Sequence, residues 1–336
     1  MSVPGAPPAK AFDASQPRET PVADSLRGRR LLLVASTGGH LAQLDKIAQL
    51  LAFDPSSTWV TFEKPQSTSM LENRDHRFIP YIAPRDFKSV AQHWPWFRRL
   101  IREVRPEAVV STGAAIALAS HLPALAARVP SYYIESVSRF DGPSLTGRIM
   151  SRLPVRRLTQ HDEWSSRRWP YEISVMDAYG AEPNEPSGPL KKVFVTLGTI
   201  FPYRFDALVD AVVAAVPHDV EIVWQLGATE RTDLPGRVET EIRASEFERL
   251  SSEADLVITH AGVGTIMQLL DLGAPTLAVP RRQARNEHVD DHQEQICGEL
   301  LRRGLATVSE APNIDLSVME RARQLTPNRA PLGSPS

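Results

Sequence analysis

The chain holds a single cysteine, Cys297. An intrachain disulfide and a cysteine-built zinc site are therefore both excluded, a usage that fits a reducing compartment. Long apolar runs are missing as well. A membrane-spanning helix needs about 20 consecutive apolar residues, and the nearest approach, 114–129, is broken by His121, Pro123 and Arg128. That stretch reads as a buried helix and a turn. No basic segment followed by an apolar run opens the chain, so no secretory signal is expected. Charge of one sign is scarce too. With 38 Lys and Arg against 40 Asp and Glu, the formal net charge is −2, and no overall basic field draws the chain to nucleic acid.

What is present points to a folded protein of two domains. A length of 336 residues suits two ordinary domains, and 42% hydrophobic with 23% charged residues allows a real core. Residues 1–28 are rich in Pro, Ala, Ser and Asp without apolar periodicity and are expected to form a disordered arm. Residues 327–336 are read the same way. The run 31–35 is continuously apolar, as in a strand buried on both faces. Leu41, Leu44, Ala48 and Leu51 then recur at helical spacing. Further strands are expected at 58–62, 108–111 and 131–135, with a helix carrying Phe97, Leu100, Ile101 and Val104 among them. Across 167–190 the pattern dissolves into Glu-Pro-Asn-Glu-Pro-Ser-Gly-Pro, the composition of an interdomain linker. It restarts at 192–196 and repeats at 221–225, 255–259 and 275–279, before a helix over 291–303 that stops at Gly304. The expectation is an α/β chain of two Rossmann-like domains, 29–166 and 191–326, each with a parallel sheet.

Open α/β sheets bind ligands at the carboxyl ends of their strands, and three loops so placed have suitable composition. The first is Ser36-Thr37-Gly38-Gly39-His40. Its glycines admit close backbone approach, and the helix that follows offers free N–H groups to an anion, so Thr37, Gly38 and Gly39 are candidate substrate-binding residues. The dinucleotide fingerprint lacks its third glycine here. Glu63 nevertheless ends the second strand, where NAD proteins place a ribose ligand, which leaves an NAD(P)-dependent oxidoreductase as an alternative. His40 is either a locally bonded helix-start residue or a neutral imidazole able to take a proton from an acceptor hydroxyl. The second loop is His260-Ala261-Gly262-Val263-Gly264-Thr265, whose glycines at a helix start make a cradle for a pyrophosphate. The third, 280–293, includes Glu287, His288, Asp291, His292 and Gln293 directly after a buried strand. A merely solvated loop is the plainer alternative. His288 and His292, four apart, have metal-ligand spacing, but phosphate-binding helix ends make a site without metal or cofactor the expectation.

His260 to Thr265, together with Pro280 and 287–293, resembles the donor-binding half of family 28 glycosyltransferases. The likeness is strongest to the small catalytic subunit of the two-subunit UDP-sugar transferases of dolichol-linked and bacterial exopolysaccharide synthesis. Val195-Thr196-Leu197-Gly198-Thr199 is similar to that subunit's first strand and turn. The loop 36–40 and Ile134-Glu135-Ser136 are similar to the partner subunit that holds the acceptor, so the chain reads as the two fused, from about residue 30 to 310. The resemblance implies a GT-B fold with a cleft between the domains, a UDP-sugar donor, inversion of configuration and no metal. It places Gly198, Thr199, Gly262, Gly264 and Thr265 at the donor phosphates, and His292 and Gln293 near the donor sugar. Peptidoglycan relatives bind the ribose diol with a Glu where this chain has Gln268, an amide that bonds a hydroxyl without charge assistance.

Inverting transfer needs a base for the acceptor hydroxyl. His40 is the first candidate and Glu135 the competitor, although Glu135 equally suits an ion pair with Arg139. Trp94, Trp96, Arg98 and Arg99 mix aromatic and basic character, as do Arg148, Arg152, Arg156 and Arg157 nearby in sequence. That mixture suits an anionic membrane interface and a polyprenyl-linked or other glycan acceptor, although Phe97, Leu100 and Ile101 read as ordinary core. The expected location is the cytoplasm, at the inner face of the plasma membrane. A non-catalytic nucleotide-sugar-binding subunit is a further alternative, against which the pyrophosphate cradle counts.

Overall fold

The structure, a computed structural model, describes residues 21–83, 85–198, 202–288 and 292–329. The first half holds strands β1 (Leu31–Ala35), β2 (Thr58–Phe62), β3 (His76–Ile79), β4 (Ala108–Gly113), β5 (Ser131–Ile134) and β6 (Arg156–Leu158). Strand β7 (Tyr179–Pro183) leads into the second half, with β8 (Lys192–Thr196), β9 (Glu221–Gln225), β10 (Arg237–Glu239), β11 (Leu256–His260), β12 (Thr276–Val279), β13 (Thr307–Val308) and β14 (Leu325–Arg329). The first-half helices are α1 (Val22–Leu26), α2 (Gly39–Leu50), α3 (Pro65–Leu71), α4 (Phe87–Gln92), α5 (Trp94–Val104), α6 (Ala115–Ala126) and α7 (Leu145–Met150). In the second half follow α8 (Asp206–Ala215), α9 (Ala244–Glu253), α10 (Val263–Leu272), α11 (His292–Arg303) and α12 (Leu316–Arg323).

Two parallel sheets result, in the orders β3-β2-β1-β4-β5-β6 and β10-β9-β8-β11-β12-β13. Each runs outward from its first strand and then reverses, the doubly wound order in which helices cover both faces. Double coverage explains why every residue of β1, β2 and β11 is buried and why β1 reads as an unbroken apolar run instead of an alternating one. The order also puts β1 and β8 at the switch points of their sheets, with the loops that follow them facing the junction of the domains. No helix among the described residues is long and apolar enough to cross a membrane.

Three expectations about order along the chain are corrected. Part of the expected arm is helical: α1 lies within 1–28, and Leu26 is wholly buried in the first domain's core, with Val22 packed against the same cluster. The expected linker 167–190 carries Ile173, Val175, Met176, Ala178 and Tyr179, all buried, and then β7. The expected tail also contributes structure, because β14 pairs antiparallel with β7, Pro327 opposite Ala181 and Arg329 opposite Tyr179. The physical cause is shared. Val22 with Leu26 and the 173–179 stretch lack a detectable period yet pack into a core built by non-local partners, and β14, only partly buried, is held by its pairing with β7. The cluster built on Val175, Met176 and Tyr179 joins α2 to Ile266 and Met267 of α10 and to Ile296 and Leu300 of α11, so the two domains share apolar packing across their junction. Lys46 of α2, itself buried, adds an ion pair with Asp271 of α10 at 2.6 Å.

Candidate active site

A cleft of about 910 Å³ opens between the carboxyl ends of the two sheets. Its second-domain wall is made by Gly198 after β8, His260 at the end of β11, and Gly262, Gly264, Thr265 and Gln268 at the start of α10. Gly39 and Lys46 of α2 close the other side. Gln268 is exposed on the α10 face that lines the cleft, and the α10 amino terminus directs its free N–H groups and positive dipole end there.

His260 organises this wall. Its ring sits between two glycines: a Cβ at Gly262 would lie 2.4 Å from His260 Nε2, and one at Gly198 would lie 2.8 Å from the same atom. Those glycines therefore make room for the imidazole, and a Cβ at Gly264 would meet nothing within 4 Å, which leaves its backbone open to a ligand. Burial first, then the positive charge of Arg281, holds the His260 pKa down to about 3, so the ring is neutral at every physiological pH. Gly262→Ala is expected to displace the buried ring and weaken nucleotide binding by at least ~10-fold. Gly264→Ala, with open space at its Cβ, should leave the protein's Tm unchanged, and calorimetric titration with melting curves separates the two effects.

A second, smaller cavity of about 230 Å³ lies in the first domain and is lined by His40, Tyr133, Glu135, Arg139 and Ser144. The structure thus brings together the two base candidates, and it gives them unlike surroundings. Glu135 is buried, and both its oxygens are occupied. Oε1 accepts from the Tyr133 hydroxyl at 3.1 Å and the Ser136 N–H at 3.1 Å. Oε2 accepts from the Ser144 N–H at 2.9 Å and hydroxyl at 3.0 Å. Burial raises the Glu135 carboxyl pKa against the pull of these bonds, and burial beside the carboxylate pushes the Tyr133 phenol well above its ordinary value. His40 is half-buried. Its Nδ1 has no hydrogen-bond partner among the described residues, and burial foremost keeps its pKa below 6.5, with a backbone contact at Thr112 opposing. Gly113 packs beneath the ring, where a Cβ would come 3.1 Å from His40 Cε1. The sequence-based pairing of Glu135 with Arg139 gives way to these four neutral donors.

The loop 37–39 runs between the two cavities, with Gly39 on the cleft and His40 on the smaller cavity. The 280–293 segment is arranged differently from expectation. Glu287 is buried, and its Oε2 accepts the Arg282 N–H at 2.9 Å. Gln293 is buried, and its Oε1 accepts the Arg281 N–H at 3.0 Å. His288 is half-buried with its ring 6.0 Å from that of Tyr203. None of the three lines the cleft among the described residues. Glu287 and Gln293 instead brace the chain leaving β12. Thr199 and Asp291 lie outside the described residues, as does the side chain of His292, whose backbone opens α11. Among the described residues no group of three or more His, Cys, Asp or Glu is placed to hold a metal ion. Glu63 is exposed and lines a separate shallow hollow with Lys64 and Glu72.

Sequence reasoning missed Tyr133, Ser144, Lys46 and Arg281. Tyr133 was accessible, being two residues before Glu135 along an extended strand end and so on the same face. The others carry no local signal. Arg281 is the least expected: it is wholly buried, its Nη2 donates to the Gly198 carbonyl at 3.3 Å, and burial draws its pKa down to about 10.

Residues 193–312 match the sequence profile of the glycosyltransferase family 28 C-terminal domain. Over 247 residues the chain is 26% identical to the UDP-N-acetylglucosamine--N-acetylmuramyl-(pentapeptide) pyrophosphoryl-undecaprenol N-acetylglucosamine transferase of Shewanella sp. (strain ANA-3), covering 69% of this chain and 66% of that protein. That span falls just short of two thirds of the relative's length. The transferase of the same name from Shewanella amazonensis is 25% identical over 317 residues, 85% of each chain. Among solved structures, MurG of Acinetobacter baumannii superposes with a TM-score of 0.55 at 19% identity, over 87% of this chain and 89% of that one. The glycosyltransferase SnogD of Streptomyces nogalater gives 0.53 at 21% identity, over 89% and 95%. The UDP-GlcNAc 2-epimerase of Methanocaldococcus jannaschii gives 0.56 at 13%, over 87% and 91%, so the two-domain architecture serves more than one chemistry. The fold is the two-domain GT-B architecture, shared with these glycosyltransferases and with the epimerase. More particularly, the second half, from β8 to the turn after β13, is similar to the family 28 C-terminal domain.

Proposed function

We propose that the chain is an inverting, metal-independent transferase that moves a sugar from a UDP-sugar in the interdomain cleft to an acceptor hydroxyl in the His40 cavity. The carrying observation is the cleft wall itself: His260 set between Gly198 and Gly262 at the start of α10, opposite the loop that presents His40. The donor diphosphate takes the N–H groups at the α10 amino terminus, and Gln268 takes the ribose. Neutral His40 accepts the acceptor proton as the acceptor oxygen bonds to the anomeric carbon. The bond from that carbon to the phosphate oxygen breaks, and the electron pair leaves with UDP, whose charge the helix start stabilises. The similarity to family 28 in the second half and the loop 36–40 in the first support reading the chain as acceptor-holding and catalytic subunits fused. Binding to the folded state stabilises it by about 2.7 kcal/mol when ligand is at 100 times its Kd. A rise in Tm with UDP and one UDP-sugar, unchanged by EDTA, is the expected result. Silence to uridine nucleotides, or a response to NAD alone, overturns the reading.

The surface beside the His40 cavity supports reading the acceptor as lipid-linked, at the cytoplasmic face of a membrane. Phe87 and Leu145 are 54% and 47% exposed. They flank an apolar groove that shares Arg85, Ala115, Leu145 and Thr146 with that cavity. The helices carrying them, α4 and α7, pack on α6, as does α5 with its exposed Arg98 and Arg99. Trp94 and Trp96 are half-buried in the first turn of α5, and Trp96 meets Phe97 edge-on at 5.0 Å, so Phe87 and Leu145 offer the more exposed apolar surface of this face. Co-sedimentation with phosphatidylglycerol vesicles at low salt should capture the wild type. The Phe87→Ser/Leu145→Ser double variant should stay in solution, and equal capture of both removes the reading.

A further inference from the structure

Arg281 is a charged group with no exposure to solvent and too few partners. One nitrogen, Nη2, reaches the Gly198 carbonyl at 3.3 Å, while Nε and Nη1 meet no acceptor among the described residues. Its charge lies over the Phe205 ring at 5.4 Å. Glu287, the acidic side chain whose field it feels, makes no ion pair with it among the described residues and instead accepts from the Arg282 backbone. A buried guanidinium with unused donors is strongly unfavourable unless something completes it, and an apolar residue of like size would pack there at no such cost. The position says what completes it. Arg281 touches the carbonyl of Gly198, a residue of the cleft wall, and its own N–H is held by Gln293. The guanidinium thus stands one peptide group behind the cleft.

We propose that Arg281 is the cationic partner of an anionic group on the bound donor, a fork-shaped ligand for phosphate or carboxylate oxygens. This rests on the UDP-sugar reading and narrows it. The shared chemistry has two sources, the diphosphate of the nucleotide and a carboxylate on the transferred sugar. Titration of wild type, Arg281→Met and Arg281→Lys with uridine, UDP, UDP-glucose and UDP-glucuronate separates them. Arg281→Met is expected to melt at or above the wild-type Tm without ligand, since it removes an uncompensated buried charge. It should bind UDP about 10- to 100-fold more weakly while uridine is unaffected, which assigns the diphosphate. A loss confined to UDP-glucuronate assigns the sugar carboxylate. Should the methionine variant not fold, Arg281→Lys, which keeps the charge and loses the fork, is expected to weaken the same ligand about 10-fold. A wild type that binds while the folded variants bind equally well overturns the inference alone. A wild type that ignores every uridine compound overturns the donor reading and this inference with it.

Discussion

His40→Ala is expected to lower kcat by about a hundredfold to ten-thousandfold, the range for removal of a general base, while the Kd for UDP stays unchanged. The separation follows from position. His40 lines the small cavity of the first domain, whereas the nucleotide wall belongs to the second. The direction of its pKa sets the pH behaviour. Burial holds the His40 pKa below 6.5, so the neutral, proton-accepting form persists to more acid pH than for a free histidine. The acid limb of kcat/KM should therefore lie below pH 6.5 and vanish in the alanine variant. An unchanged kcat, or an acid limb that survives the substitution, would assign the base elsewhere.

Glu135→Ala should act through stability before it acts on chemistry. It removes the acceptor of four donors, the buried Tyr133 hydroxyl and Ser136 N–H and the two donors of half-buried Ser144, and of these the Tyr133 hydroxyl keeps Ser144 Oγ at 3.3 Å. Leaving one buried donor unsatisfied costs about 1–3 kcal/mol. Even with relaxation and water entry, a loss of roughly 3 kcal/mol and a fall in Tm of about 10 °C are expected. Gly147 packs against this carboxylate so closely that a Cβ there would lie 2.2 Å from Glu135 Oε2, so the side chain also seats α7 and with it Leu145. Glu135→Gln keeps the shape but turns an NH₂ toward donors, and should lose part of the same stability. The competing role predicts the reverse pattern. If Glu135 is the base, Glu135→Gln melts like wild type and loses kcat, and thermal melts with steady-state kinetics on one preparation decide between them.

The readable parts of the molecule are those whose signal is local. The continuous apolar run at β1 and the helical spacing of Leu41, Leu44 and Ala48 appear as strand and helix where expected. Runs at 192–196 and 221–225 coincide with β8 and β9. The glycine loop 260–265 stands at the carboxyl end of β11, since a buried strand meeting a helix start leaves few other arrangements. The misread segments share a different property. Val22 and Leu26, the Ile173 to Tyr179 stretch and the Pro327 region are stabilised by partners far away in sequence, and nothing in their own composition announces those partners.

The amino-acid sequence by itself determined the two-domain α/β plan and the loops where chemistry belongs, because burial on both faces of a parallel sheet and the backbone demands of a strand-to-helix turn are written into neighbouring residues. Only the tertiary structure decided what the residues in those loops do. It clasped Glu135 with four donors, left His40 Nδ1 free, seated His260 between Gly198 and Gly262, and buried Arg281 behind the cleft. Those outcomes depend on side chains brought together from distant positions, such as 135 with 144 and 198 with 260. A carboxylate or an imidazole takes its protonation and its role from such neighbours, not from its place in the chain.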